Sequence, residues 1–554
     1  MAIKAFPTAY GAGAYATGGR GYPVFKVTNL NDSGAGSFRQ ACTDVNNSGG
    51  GNIVFDVSGI IVLQSPIFAY IDNCTIAGQT APEGGITIAG DGSLILESFD
   101  NSIIRYVRFR PEFTSNNDDV LAAYRTSNFI IDHCSILGGT DEGLDITFET
   151  DTFTVQNCMF GMNATGSIAG NSDNNLFTTN FSYLNNVFYN TSHRFPNVHV
   201  TGQADLINNL IWNYVARMSV VSGDVDLNHI NNYYASIYGD GPNLDLGRMG
   251  MLLWWRDGEG TPSIYTEGNI LHDTPSIFSN NWDLWHWRFD APPSSGYAGL
   301  AEEPVPVALR NNTQFSLIGA SLPIRTAQEI KDNLIYEAGA NARLDSNGNV
   351  LSDIDIMDQH IIDNISTNTK LYYNTGNFGD EHTQYIRDYW ATVSTTPLAT
   401  RNDDTNGDGI PDAWTTANIP VGQTYSDIAP SGYTWLEEYI NQVDIVNNIP
   451  QITRTDSNPT TIEIGGTYTP PTGTWTDVED GSGNATVGGD TVDVNTIGTY
   501  NVTLSHTDTD GNTGTLIIPY TVIDTSTNII YSLTEQEKEK SKRKKLKLVK
   551  RGLI

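Results

Sequence analysis

The sequence predicts a mainly β protein, a parallel β-helix followed by a small immunoglobulin-like β-sandwich. A short motif recurs along the first half: IDNCTI (71–76), RYVRF (105–109), IDHCSI (131–136), VQNCMF (155–160), LNNVF (184–188), INNLI (207–211) and INNYY (230–234). Aligning these puts Asn73, Tyr106, His133, Asn157, Asn185, Asn208 and Asn231 at one position, with spacings of 33, 27, 24, 28, 23 and 23. Such a period, built from short strands and Gly/Asn turns, is that of a solenoid of parallel β coils. The segments alternate with period two and are rich in β-branched residues, which disfavours a helical solenoid. Residues 447–524 are rich in Thr, Gly and Val, with strand-sized runs at 461–464, 499–505 and 515–522, the pattern of a small sandwich.

At 554 residues the chain exceeds one ordinary core, and its 53 glycines suit a turn-rich β protein. Residues 1–60 read as loop, strand, turn and a short helix. The next position of the aligned motif holds Cys74, Val107, Cys134, Cys158, Asn186, Asn209 and Asn232, a ladder of small buried side chains with amides bonding along the stack. Four cysteines are too few for a disulfide scaffold. After Asn269 the repeat fades, and Trp254, Trp255, Trp282, Trp285 and Trp287 are expected to pack beneath long loops. Residues 326–343 read as a helix with Ala327, Ile330, Leu334 and Ile335 on one face, lying against the solenoid or capping its end. The stretch RNDDTNGDGIPDAW places Asp404, Asn406, Asp408 and Asp412 at the alternate spacing of a calcium loop, with Thr415 where a bidentate Glu is expected.

The expected domains are therefore 1–400, the solenoid with additions after about 276; 401–445, the calcium-like loop and a short helix; 446–525, the sandwich; and 526–554, a basic tail. Residues 535–554 carry nine Lys/Arg against three Glu, a solvated charge run. The formal charge of −33 argues against nucleic acid, and against any polyanion held without a bridging cation. No apolar run has the roughly 18–20 residues a membrane span needs. The start shows no apolar signal core, so an extracellular setting implies a removed signal or export by another route, such as on a virion.

The coil register also predicts what lies beside what. Asp141 follows His133 by eight residues, Thr165 follows Asn157 by eight, and His193 and Arg194 follow Asn185 by eight and nine. With coils about 4.8 Å apart, Asp141, Thr165 and Arg194 should line one face. Asp119 and Asp145 fall on adjacent coils near Asp141. Three converging acids are costly unless a cation neutralises them, and oxygen-only ligands in a loose site suit Ca²⁺.

IDHCS, the DEGLD pair of acids, RFP at 194–196, TIAGQTAPEGGITIAG, IIRYVRFRP and the helix ending EAGA together resemble the pectate lyases of polysaccharide lyase family one, over roughly residues 5–442. That resemblance implies a right-handed parallel β-helix and calcium-dependent β-elimination on a uronic-acid polymer. It implies Asp119, Asp141 and Asp145 as calcium ligands and Arg194 as the base removing the C5 proton. The sequence departs from the family at Thr165, where the family has a substrate-binding lysine, and at His199, where it has a second arginine. His199 and His193 are candidates to take over part of that substrate grip. Two other readings of the same residues are a β-helical glycoside hydrolase using Asp118, Asp119 and Asp141, and a tailspike or adhesin that binds polysaccharide without turnover.

Overall fold

The computed structural model describes residues 3–90, 93–111, 119–170, 177–238, 249–255, 258–272, 280–289, 304–370, 396–445, 450–477, 481–507 and 513–524. Asp118 and the tail 526–554 lie outside the described residues. The chain divides into two compact units, Met1–Asp444 and Ile445–Ile554.

In the first unit each coil gives one strand to each of three parallel sheets, of ten, nine and nine strands. One coil is Ser127–Asp132, Ser135–Leu137 and Glu142–Thr147; the next is Asp151–Gln156, Met159–Gly161 and Thr165–Gly170. Every pairing among these sheets is parallel, with registers such as Ser135↔Met159↔Val187↔Leu210↔Tyr233. The parallel β-helix expected from the repeat is the architecture found.

The aligned motif marks one turn of the coil. Asn73, Tyr106, His133, Asn157, Asn185, Asn208 and Asn231 all have φ between 48° and 59°, the left-handed conformation. Asparagine tolerates that region because its short amide bonds locally, which explains its recurrence. Tyr106 and His133 are the exceptions, and their rings stack on each other at 4.8 Å.

The following position is the predicted ladder. Asn186 Nδ2 donates to Asn209 Oδ1 at 3.1 Å, Asn209 to Asn232 at 2.9 Å, and Asn232 to Asn269 at 2.9 Å. Cys134 and Cys158 continue it as free, buried thiols, and burial pushes the Cys158 thiol upward. Each amide serves as both donor and acceptor in a dry interior, so removing one strands its neighbours. Asn209→Leu is expected to cost roughly 1–3 kcal/mol per stranded partner, read as a lower denaturant midpoint with an unchanged slope.

Aromatic stacks run through the core beside it. Phe129, Phe153 and Phe181 follow one another at 5.3 and 5.1 Å. The helix Phe38–Ser48, capped by Ser37 and ended by left-handed Gly49, buries Phe38, Ala41, Cys42 and Val45 against the first coils. Trp285 is fully buried and Trp255, Trp282 and Trp287 pack against the same core.

The predicted helix is Ala327–Glu337, shorter than 326–343. A capping box between Thr326 and Glu329 starts it, and extended Ala338 with left-handed Gly339 ends it. It lies along the side of the solenoid, burying Ala327, Ile330, Leu334 and Ile335 near Leu137, Met159, Val187 and Leu210. The following Ala342–Leu344 pairs with Val350–Ser352 in a hairpin. A second helix, Ile356–Ser366, shares that interface through Met357, Ile361 and Ile365.

The second unit has a three-stranded sheet and a four-stranded one. Its longest pair, Gly498–Thr507 with Thr513–Ile523, is antiparallel, and Ile462, Val502, Leu504, Ile518, Tyr520 and Val522 form its core.

Candidate active site

One sheet carries the acids. Its strands, in spatial order, include Ile67–Tyr70, Leu94–Ser98, Leu121–Tyr124, Glu142–Thr147, Thr165–Gly170, Asn197–His199, Val220–Ser222, Met251–Trp255 and Trp285–Phe289. Asp119 precedes the third of these and Asp141 the fourth.

Asp119, Asp141 and Glu142 each bring a carboxylate oxygen within 4.8 Å of the others. The Glu142 amide donates to Asp119 Oδ1 at 3.0 Å, and the Thr165 amide donates to the Asp141 carbonyl at 3.0 Å. Glu142 is the member that sequence reasoning missed. It shares strand parity with core residues Leu144 and Ile146, so alternation assigns it inward. It stands at the strand's first position, where its side chain reaches the turn edge instead.

Asp145 lies outside that group of three. Its Oδ2 accepts from the Tyr124 hydroxyl at 3.0 Å, whereas its Oδ1 is buried with no hydrogen-bond partner. Burial, with Asp141 adding to it, pushes the carboxyl up to about 6, against the bond from Tyr124. Tyr124 is likewise pushed up by burial and by Asp145 and Asp119. A carboxyl raised in this way favours the folded state less as pH climbs from its unfolded value, about 3.9, toward 6. Ionised Asp145 therefore sits in a place that asks for positive charge.

Arg194 is supplied two coils on. The Arg194 carbonyl accepts from the Ser167 amide at 2.8 Å, and a Cβ on Gly166 would lie 2.2 Å from that oxygen, so only glycine permits the approach. Arg194 has φ 72°, a conformation uncommon outside glycine and found preferentially at functional sites. Phe195 behind it is buried against Phe188 and Tyr214, which anchors the turn. The Arg194 guanidinium forms an ion pair with Glu142, while its Nε is buried without a hydrogen-bond partner.

The remaining candidates occupy the same sheet edge with different chemistry. Thr165 pairs with Glu142 in register, and its Oγ1 is buried without a partner. His193 Nδ1 meets Ser192 Oγ at 2.6 Å, and burial with Arg217 nearby pushes its ring down to about 3. A neutral imidazole offers hydrogen bonding in place of the positive charge of a uronate grip. His199 Nδ1 meets Ser222 Oγ at 2.6 Å, and its Nε2 is 3.9 Å from Glu259. Arg217, which no sequence motif marks, enters the site region one coil beyond Arg194, whose amide donates to the Met218 carbonyl at 3.0 Å.

The calcium-like loop is arranged otherwise. Asp404 accepts from the Gly407, Asp408 and Gly409 amides and pairs with Lys26 at 2.8 Å. Asp408 is engaged by Asn406 and the Ile410 amide, and Asp412 by Thr405. Among the described residues these carboxylates do not gather as Asp119, Asp141 and Glu142 do. Lys26, which pairs with Asp404, also pairs with Asp56 at 2.7 Å.

Along this sheet edge Thr165 Oγ1 and Arg194 Nε are buried without hydrogen-bond partners, beside the strand that carries Glu142. Buried polar groups are nearly always satisfied, so such exceptions beside converging carboxylates are consistent with a place for a ligand. The acids fit a hard cation, since carboxylate oxygens are its preferred donors and their mutual repulsion is relieved by it.

The chain is 28% identical over 459 residues to a probable pectate lyase C of Emericella nidulans, spanning 80% of this chain and 93% of that one. It is 34% identical over 242 residues to a probable pectate lyase C of Neosartorya fischeri, where the match spans 42% of this chain and 55% of that relative. Among solved structures, a variant pectate lyase of Bacillus subtilis is similar at 16% identity and a TM-score of 0.42, over 61% of this chain and 98% of that one. Residues 452–517 match the family described as "Bacterial surface protein, Ig-like domain". Over most of its length the chain is thus a homologue of proteins named as probable pectate lyases.

Proposed function

We propose that the protein cleaves a uronic-acid polymer of the pectate kind by β-elimination, with calcium held by Asp119, Asp141 and Glu142, and Asp145 beside them. The observation that carries this reading is the convergence of the Asp119, Asp141 and Glu142 carboxylates, with the Arg194 guanidinium paired to Glu142. A bound Ca²⁺ would supply positive charge to the substrate carboxylate and so stabilise the enolate-like charge left when C5–H is lost.

The chain's own residues do the rest. Arg194 is the group placed to take the proton, and its guanidinium is a base only in its deprotonated form. Glu142 holds that guanidinium in an ion pair. Glu142 therefore has two claims on it, the cation and Arg194, and binding of one weakens the hold of the other. The Thr165 hydroxyl and the Arg194 Nε–H remain to orient the uronate.

A second reading, binding without turnover, is favoured by the same Arg194–Glu142 pair, which already occupies the guanidinium. Incubation with pectate, alginate and other polyuronates, with and without Ca²⁺, distinguishes them through the ultraviolet absorbance of the unsaturated product. Cleavage without that absorbance excludes elimination, and retention on the polymer without cleavage supports the second reading.

The cation site is checked without activity. Millimolar Ca²⁺ is expected to raise the melting temperature of the wild type by several degrees, as for any ligand bound only to the native state. Glu142→Gln and Asp119→Asn should each weaken that response at least tenfold in cation concentration. An identical calcium response in both variants would remove the acid cluster from the proposal.

A further inference from the structure

The sheet that bears the acids continues past them toward the amino terminus, and there its outer face turns aromatic. Phe68 and Tyr70, on the strand Ile67–Tyr70, are 58% and 52% exposed, although both are large apolar rings. Their neighbours Ile67 and Ala69 point inward and are buried, so the exposure belongs to one face of an ordered strand. The register connects that face to the acids. Phe68 pairs with Ile95, Ile95 with Ala122, and Ala122 with Asp145. At about 4.8 Å per strand, Phe68 lies roughly 14 Å from Asp145 along the coil axis.

A second set of rings flanks the same row. Tyr124 donates to Asp145 and meets Phe148 edge-on, with ring centroids 5.1 Å apart. Phe148 is 42% exposed, and the Arg125 guanidinium lies over it at 5.4 Å. Arg125 in turn pairs with Glu97 at 3.1 Å, on the same face. Between the rings and Asp145 that row holds half-buried Ile95 and buried Ala122, both apolar. The outward row thus runs from the exposed rings of Phe68 and Tyr70 to Asp145 beside the acid cluster.

Exposed aromatics clustered on one face mark an interaction surface. A pyranose ring presents axial C–H groups on its flat faces, and these meet the negative face of an aromatic ring favourably. A polyuronate also needs binding energy beyond its charges here, because the acid cluster repels it wherever no cation intervenes. The register that joins the rings to Asp145 on one sheet face, and its length of a few sugar units, fit one occupant: the same polysaccharide chain.

We propose that Phe68 and Tyr70, supported by Phe148 and Tyr124, form a stacking subsite that binds the polysaccharide several sugars away from the acid cluster. The subsite makes the protein prefer long chains over short ones. This inference rests on the reading of the acid cluster as a polyuronate site.

The test is the Phe68→Ala/Tyr70→Ala double variant, with a Phe68→Trp/Tyr70→Trp variant as rescue. The ratio of KM on long polygalacturonate to KM on a short oligogalacturonate should rise roughly tenfold in the alanine variant and return in the tryptophan one. The melting temperature should stay at the wild-type value, as expected for exposed positions. An unchanged ratio overturns the proposal, and so does an alanine variant that differs from wild type in oligomeric state by size exclusion, which would assign the rings to self-association. If the wild type releases no unsaturated product, the lyase reading fails, and affinity electrophoresis through polygalacturonate then decides the subsite. Retardation lost in the alanine variant and regained with tryptophan upholds it; equal retardation in all three proteins overturns it.

Discussion

Arg194→Lys is expected to lower kcat on a polyuronate by on the order of 10²–10⁴-fold, the usual worth of a positioned acid–base group. Lysine keeps a positive charge and can still meet Glu142, so the fold and the electrostatics of the cluster should survive. What it loses is the planar guanidinium, whose Nε is buried without a hydrogen-bond partner. The expected signature is a fall in kcat with little change in KM, followed by product absorbance on polygalacturonate. Full activity in Arg194→Lys would show that Arg194 is not the base. Glu142→Gln offers a contrasting result. It removes one carboxylate of the cation site, so its loss of activity should be recovered in part by raising the calcium concentration.

Arg105→Met is expected to destabilise the first unit by about 3–5 kcal/mol, the cost of leaving buried carboxylates without their cation. Arg105 is fully buried and pairs with Asp132 at 2.8 Å and with Asp444 at 2.6 Å. Gln156 and Asn157 also donate to Asp132, and Thr8 donates to Asp444. The network thereby ties the coil at 132 to the helix Gln442–Ile445 and to the amino-terminal loop. Burial alone would raise the Asp132 carboxyl, but His133 and Arg105 hold it well below the usual range. A depressed carboxyl contributes stability that is fully present above the unfolded value near 3.9 and lost as pH falls through the folded one. Denaturant midpoints for the wild type should therefore fall steeply in acid, and the Arg105→Met variant should show a weaker dependence there. A midpoint within about 0.5 kcal/mol of wild type would mean that the buried network does not hold these segments together.

Much of the fold was legible because a coil has few ways to turn. Each turn needs a left-handed residue, asparagine fills it most readily, and the recurrence of Asn at 73, 157, 185, 208 and 231 gives the register directly. From that register the neighbours Asp141, Thr165 and Arg194 follow, since a solenoid stacks equivalent positions. The ladder of Cys134, Cys158, Asn186 and Asn209 follows for the same reason. The helix Ala327–Glu337 announced itself by its spacing and its Thr326/Glu329 box. The helix Ile356–Ser366 did not, because Asp355 and Asp358, which begin it, read as loop acids until Arg110 is seen beside them.

The sequence by itself determined the period, the turn residues, the sandwich strands, and the line of acids and arginine on one edge. Those depend on local conformation and on stacking at a fixed rise, which spacing encodes. Only the tertiary structure decided which acids converge, because Glu142, Asp145 and Asp404 differ in surroundings that lie far away in the chain. Glu142 is drawn to Asp119 and Arg194 on neighbouring coils. Asp145 is withdrawn toward Tyr124, and Asp404 is neutralised by Lys26. The charge state and ligand role of a carboxylate are set by what is packed within a few ångströms of it, and no spacing rule carries that information.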